Sequence, residues 1–153
     1  MATLKVGDRA PAFSLVDQNG RTVSLADFRG TRLLLYFYPK ADTPGCTRQA
    51  CSVRDSAELL QEAGGAAVGI SPDRPDKQKE FDDKYELRFP LLSDPDHKVA
   101  EAYGVWGKKS NYGKSYEGII RSSFLIDEDG RLLQVTYSVK PEDTVPKAQE
   151  VLA

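Results

Sequence analysis

Soft metal ligands are scarce in this 153-residue chain, which has two cysteines, one histidine and one methionine. Cys46 and Cys51 lie five residues apart, which argues against a framework of structural disulfides. With His97, distant in sequence, they supply at most three ligands, which argues against a zinc site. His97 reads instead as a surface residue at a helix start. An excess of charge of one sign is also missing. The 21 basic and 23 acidic residues are interspersed and leave a net charge of −2, with no basic patch for nucleic acid and no charged tail. The longest apolar run, Leu33 to Tyr38, has six residues, far short of the roughly 20 that span a bilayer. Met1 to Asp8 lacks the continuous apolar segment of a signal peptide. No glycine-rich phosphate loop follows a strand, which weighs against a nucleotide or flavin. These absences lead to the expectation of a cytoplasmic protein, its thiols kept reduced, with neither a membrane nor a nucleic acid as partner.

What is present is an ordinary globular composition, 40% hydrophobic and 29% charged. The length predicts one domain, residues 1–153, able to bury its own core. Residues 12–16 alternate like a strand, Asn19-Gly20 is a hairpin turn signal, and residues 22–25 return. Ser24 can cap a short turn through Asp27 and Phe28. Arg32 to Tyr38 is apolar on both faces, the pattern of a central covered strand. A helix is predicted from Cys46 to Ala63, stopped by Gly64-Gly65, with Val53, Ala57 and Leu60 on one stripe. Strand 66–71, helix 77–85, strand 90–93 and helix 97–103 follow. Strand 121–126 then turns at Asp129-Gly130 into strand 132–137, and Pro141-Glu142-Asp143 opens a last helix. Alternating strands and helices, then a hairpin and a helix, predict an α/β protein whose mixed central sheet is covered by helices. A thioredoxin-like fold with an N-terminal hairpin suits this order, as does a small flavodoxin-like one.

The chemistry concentrates in Pro39-Lys40-Ala41-Asp42-Thr43-Pro44-Gly45-Cys46. Cys46 falls in the first turn of a helix that follows a central strand, and open α/β sheets build their sites at the carboxyl ends of strands. Unpaired backbone N–H groups at a helix N-terminus favour negative charge, and the thiolate is the nucleophilic form of cysteine. Each residue also has a plainer reading: Cys46 as a small buried hydrophobe, Thr43 as a helix cap, Pro39 as a strand stop, Arg121 as a charge on a strand.

In combination these residues carry a resemblance. Pro39, Thr43 and Cys46 match the Pro-x-x-x-Thr-x-x-Cys motif of the peroxiredoxins. The stretch around them resembles the Q-type branch, the bacterioferritin-comigratory proteins. So do Tyr103-Gly104-Val105-Trp106-Gly107 and Tyr112-Gly113-Lys114 to Gly118, and Arg121 to Asp127 is similar to that branch's arginine-bearing strand. The resemblance runs from Gly7 through nearly the whole chain. It implies a thiol peroxidase without a cofactor, in which Cys46 attacks a hydroperoxide and becomes a sulfenic acid. It further implies that Thr43 and Arg121 polarise the peroxide, Pro39 shields the pocket, and the N–H groups of Gly45 and Cys46 complete the site. Gln49 stands where the family often has glutamate; a neutral amide can still accept a hydrogen bond from Arg121.

Cys51 poses a geometric problem. In one regular helix, residues five apart have Cα atoms about 8.7 Å from each other and side chains about 140° apart around the axis. A disulfide needs Cα atoms within about 7 Å. Either Cys51 is a core residue, or the helix must unwind for the two to bond. One Q-type subgroup carries its resolving cysteine at this spacing, so the resemblance implies a Cys46–Cys51 disulfide, reduced by thioredoxin or a similar dithiol. A monomer is expected, since no long arm follows the last helix. Other functions compatible with the pair are a thioredoxin-type oxidoreductase, although Cys-x-x-Cys is absent, and a redox-sensing binding protein.

Overall fold

A computed structural model of the chain describes residues 3–111 and 113–152; Tyr112, in one of the resembling stretches, lies outside them. The N-terminal hairpin forms as predicted, with β1 (Ser14–Val16) antiparallel to β2 (Thr22–Ser24). A 3-10 turn at Leu25–Phe28 follows, where the Asp27 carboxylate accepts the Ser24 N–H at 2.9 Å. β3 (Arg32–Phe37) is buried from Leu33 onward. After it come α1 (Pro44–Asp55), α2 (Ala57–Glu62), β4 (Gly65–Ser71), α3 (Pro75–Tyr85), β5 (Leu91–Ser93) and α4 (Lys98–Ala102). β6 (Trp106–Asn111), β7 (Lys114–Ile119), β8 (Ser122–Ile126), β9 (Leu132–Thr136) and α5 (Thr144–Leu152) complete the order, with a 3-10 turn at Pro141–Asp143 before α5.

Seven strands form one mixed sheet in the order β2-β1-β5-β4-β3-β8-β9. β3, β4 and β5 run parallel; β8 is antiparallel to β3 and β9 to β8. This is the expected thioredoxin-like arrangement. The alternation along β3 explains why its sequence is apolar throughout. Leu33, Leu35 and Phe37 enter a core with Phe13, Tyr103 and Phe124 on one face. Leu34, Tyr36 and Tyr38 enter a second core on the other, with Cys46, Ala50 and Val53 of α1 and Val145 and Ala148 of α5. Both faces are covered, so neither can be polar.

Two readings of the sequence need correction, and one element was not read from it. The helix predicted over 46–63 begins at Pro44 and breaks at Ser56, where φ is −100° and ψ 6°. The break turns Ala57 to solvent while Val53 and Leu60 stay buried, so the predicted stripe does not exist as a unit. Residues 106–119 form a two-stranded hairpin apart from the main sheet. Most of β7 is exposed, so alternating burial, the signal that marks a strand in sequence, is absent. Arg121 lies one residue before β8 rather than inside a strand.

Candidate active site

The site forms where β3 ends and α1 begins. The loop between them is held from outside. The Ala41 N–H donates to the Asp73 carboxylate at 2.7 Å. Asp42, in the left-handed region at φ 60°, accepts hydrogen bonds from Lys84 Nζ and from the Tyr85 hydroxyl, each at 2.9 Å. The Lys84 and Tyr85 bonds hold the Asp42 carboxyl below its ordinary range. Thr43 takes the N-cap position of α1 with an extended backbone, yet its side chain does not cap the helix. Its hydroxyl donates backwards to the Lys40 carbonyl at 2.8 Å, which corrects the capping reading. Pro44, at the first helical position, needs no partner for a missing N–H. Pro39 is half-buried at the loop's start.

Cys46 is the third residue of α1 and only 1% exposed. The Thr47 N–H already bonds the Thr43 carbonyl. The Gly45 and Cys46 amides therefore precede the first closed turn and have no intrahelical acceptor. Arg121 Nη2 stands 3.4 Å from Cys46 Sγ. Sheet register delivers it there. Ser122 pairs with Phe37 at the last residue of β3, so Arg121 sits beside the residues that follow β3. Its carbonyl accepts the Val139 N–H at 2.8 Å, and its Nη1 donates to Gln49 Oε1 at 2.6 Å. Gly45 makes this approach possible: a Cβ there would lie 3.1 Å from Arg121 Nη2 and 3.6 Å from Pro141 Cγ.

Gln49, one turn after Cys46, is fully buried. Its Nε2 donates to the Thr144 hydroxyl at 2.8 Å, and that hydroxyl faces the Lys140 carbonyl at 3.3 Å. Two further groups flank the pair. Lys109 of the β6–β7 hairpin donates to the Ile119 carbonyl at 2.8 Å, and burial, then the Arg121 charge, lowers its pKa. Tyr36 lies beneath α1 with its hydroxyl buried and, among the described residues, unpartnered. Burial, then the neighbouring Tyr38 and Cys46, push its pKa well up, so it stays a neutral phenol.

Of the residues singled out in the sequence, Cys46, Arg121, Gln49 and Gly45 come together. Thr43 and Pro39 border them, with the Thr43 proton directed away. Cys51 is half-buried further along α1, and both thiols are free. His97 is remote from the cysteines in role, its ring stacked on Trp106 with centroids 3.8 Å apart. Among the described residues no three His, Cys, Asp or Glu side chains cluster to hold a metal ion. Thr144, Lys109 and Tyr36 were not foreseen. Lys-Pro-Glu-Asp-Thr reads only as a helix start, and nothing local ties it to a glutamine 95 residues earlier.

The family model described as the AhpC/TSA family matches residues 6–135. The chain belongs to this family. Peroxiredoxin Bcp of Escherichia coli K12 is 57% identical over 135 residues, covering 88% of this chain and 86% of that one. The crystal structure of peroxidoxin BcpB from Mycobacterium tuberculosis superimposes with a TM-score of 0.87 at 37% identity, covering 97% and 96% of the two chains. The bacterioferritin comigratory protein of Xanthomonas campestris, described for its alkyl peroxide reduction activity, gives 0.86 at 31% identity, covering 92% and 89%. Within the AhpC/TSA family the similarity is thus to the Bcp and peroxiredoxin Q proteins.

Proposed function

We propose that this AhpC/TSA family member is a thiol peroxidase acting on hydrogen peroxide and organic hydroperoxides. The observation that carries the reading is the Arg121 guanidinium 3.4 Å from a cysteine sulfur in the first turn of a helix. Negative charge on sulfur is stabilised there by the cation and by the unpaired amides. The Cys46 thiolate attacks the terminal peroxide oxygen. The S–O bond forms as the O–O bond breaks, and the departing alkoxide or hydroxide takes a proton. The products are a Cys46 sulfenic acid and an alcohol or water. Arg121 and the Gly45 and Cys46 amides oppose the charge that develops on the oxygens. Thr43, once its hydroxyl turns from Lys40, can contact the peroxide, and Pro39 limits water at the pocket. Gln49 holds the guanidinium in place.

Cys51 is the resolving thiol in this reading. Its sulfur displaces hydroxide from the sulfenic acid, giving a Cys46–Cys51 disulfide and water. One continuous α1 carries both residues, and helical spacing puts their Cα atoms about 8.7 Å apart, so the first turns of α1 must open. A dithiol protein of thioredoxin type then reduces the disulfide by exchange. The chain works as one unit, a cytoplasmic monomer without cofactor. The test is hydroperoxide turnover with thioredoxin and its reductase. C46S should consume no peroxide, and C51S should consume one equivalent without sustained turnover. Full turnover by C46S would sink the reading.

A further inference from the structure

Gln49 is a polar side chain with no exposure, and each end of its amide admits one polarity of partner. Arg121 can only donate, so Oε1 must face it, as it does at 2.6 Å. Nε2 must then find an acceptor on the opposite side. It finds the Thr144 hydroxyl at 2.8 Å. Thr144 is itself fully buried, and its hydroxyl lies 3.3 Å from the Lys140 carbonyl, where its own proton goes. The hydrogen bonds therefore all donate one way, from Arg121 through Gln49 and Thr144 to the Lys140 carbonyl, while the other nitrogen of Arg121 donates to Cys46 Sγ. No member can be reversed without setting two donors against each other. Thr144 also lies beyond the stretch matched to the family, which ends at residue 135.

We propose that Thr144 is a positioning residue for the peroxide-reacting pair. Its hydroxyl fixes which way the Gln49 amide points, and that orientation holds the Arg121 guanidinium against Cys46. The C-terminal helix thereby belongs to the active site without touching the substrate. Without the hydroxyl, Gln49 Nε2 is a buried donor with no acceptor. The amide is then no longer anchored at its far end and shifts toward another acceptor, which takes Oε1 out of line and loosens the guanidinium.

This inference rests on the peroxidase reading, and single-turnover kinetics on the full chain separate the two. Prereduced protein is mixed with hydrogen peroxide and oxidation is followed per folded active site. T144V should oxidise roughly tenfold or more slowly, within the ~10²-fold loss that a misplacement of about one ångström can produce. T144S, which keeps the hydroxyl, should restore most of the rate. In a Q49L background, T144V should change the rate no further. A purely structural role would instead lower the melting temperature of T144V and leave its oxidation rate at the wild-type value, which overturns the proposal. So would equal slowing by T144S and T144V, or an undiminished effect of T144V in Q49L. T144A replaces T144V should the valine prevent folding. If wild type itself consumes no peroxide, or C46S consumes it as fast, the peroxidase reading fails first.

Discussion

At the scale of single residues, the site depends on what each neighbour of Cys46 can offer in one direction. Arg121 offers two nitrogens in fixed geometry, one on Sγ at 3.4 Å and one on Gln49 at 2.6 Å. Lysine cannot copy this fork. R121M should slow Cys46 oxidation by on the order of 10²–10³-fold, the loss seen when a charge-stabilising donor is removed, as read by single-turnover peroxide consumption. Gly45 is constrained by space rather than by dihedral angle. G45A should push the guanidinium outward, because the new Cβ would stand 3.1 Å from Arg121 Nη2; the same assay should show a smaller loss than in R121M. Tyr36 runs the other way. Its buried hydroxyl has no partner among the described residues, and a buried unsatisfied group costs about 1–3 kcal/mol. Y36F should therefore leave the reduced protein as stable or raise its stability by about 1 kcal/mol, measured by urea unfolding.

At the scale of elements, the proposed mechanism sets α1 two tasks that oppose each other. Closed, it presents its first turn to Cys46 and buries Cys46, Gln49, Ala50 and Val53. Open, it lets Cys46 meet Cys51. The amides of residues 47–54 should therefore exchange slowly with solvent deuterium in the reduced protein and much faster after peroxide treatment. Unchanged protection after the disulfide has formed would rule this out. The loop before α1 is tied down by charge, and its pH dependence has a definite sign. Asp42 is held below its ordinary value of 3.8 and Lys84 above its ordinary 10.5. The tether is fully present above the ordinary carboxylate value and lost as pH falls through the lowered one. At the alkaline end it weakens only as pH rises through the raised lysine value. Amide exchange in residues 40–43 should thus show an intact tether at neutral pH. D42N at neutral pH should show the loosened loop that wild type shows in acid.

At the scale of the whole molecule, the sheet is the ruler that sets the site. β3 lies between two cores and is pinned by β4 on one edge and β8 on the other. A slip of one residue between β3 and β8 would move Arg121 away from the end of β3. Leu34, buried beneath α1 and α5, supports this register. L34A should cost about 2–5 kcal/mol, checked by denaturant unfolding, and carry a loss of peroxide reactivity with it. α5 closes the same face, and through Thr144 it reaches the reacting pair.

Local pattern was enough for much of this protein. The all-apolar run from Leu33 to Tyr38 marked the central strand, because only a strand covered on both faces excludes polar residues. Asn19-Gly20 marked the hairpin, because it suits the tight turn. Pro39, Thr43 and Cys46 pointed to a candidate site only through their resemblance to a family motif, because each residue alone also reads as a strand stop, a cap or a buried hydrophobe. The break at Ser56 and the β6–β7 hairpin were not legible, since neither leaves a regular alternation of burial in the sequence. Above all, only the tertiary structure decided which groups surround the sulfur. Arg121 is 75 residues from Cys46 and Thr144 is 95 from Gln49. A hydrogen bond is specified by position and direction within a few tenths of an ångström. Spacing along the chain carries neither across such separations until sheet register and helix packing have been set.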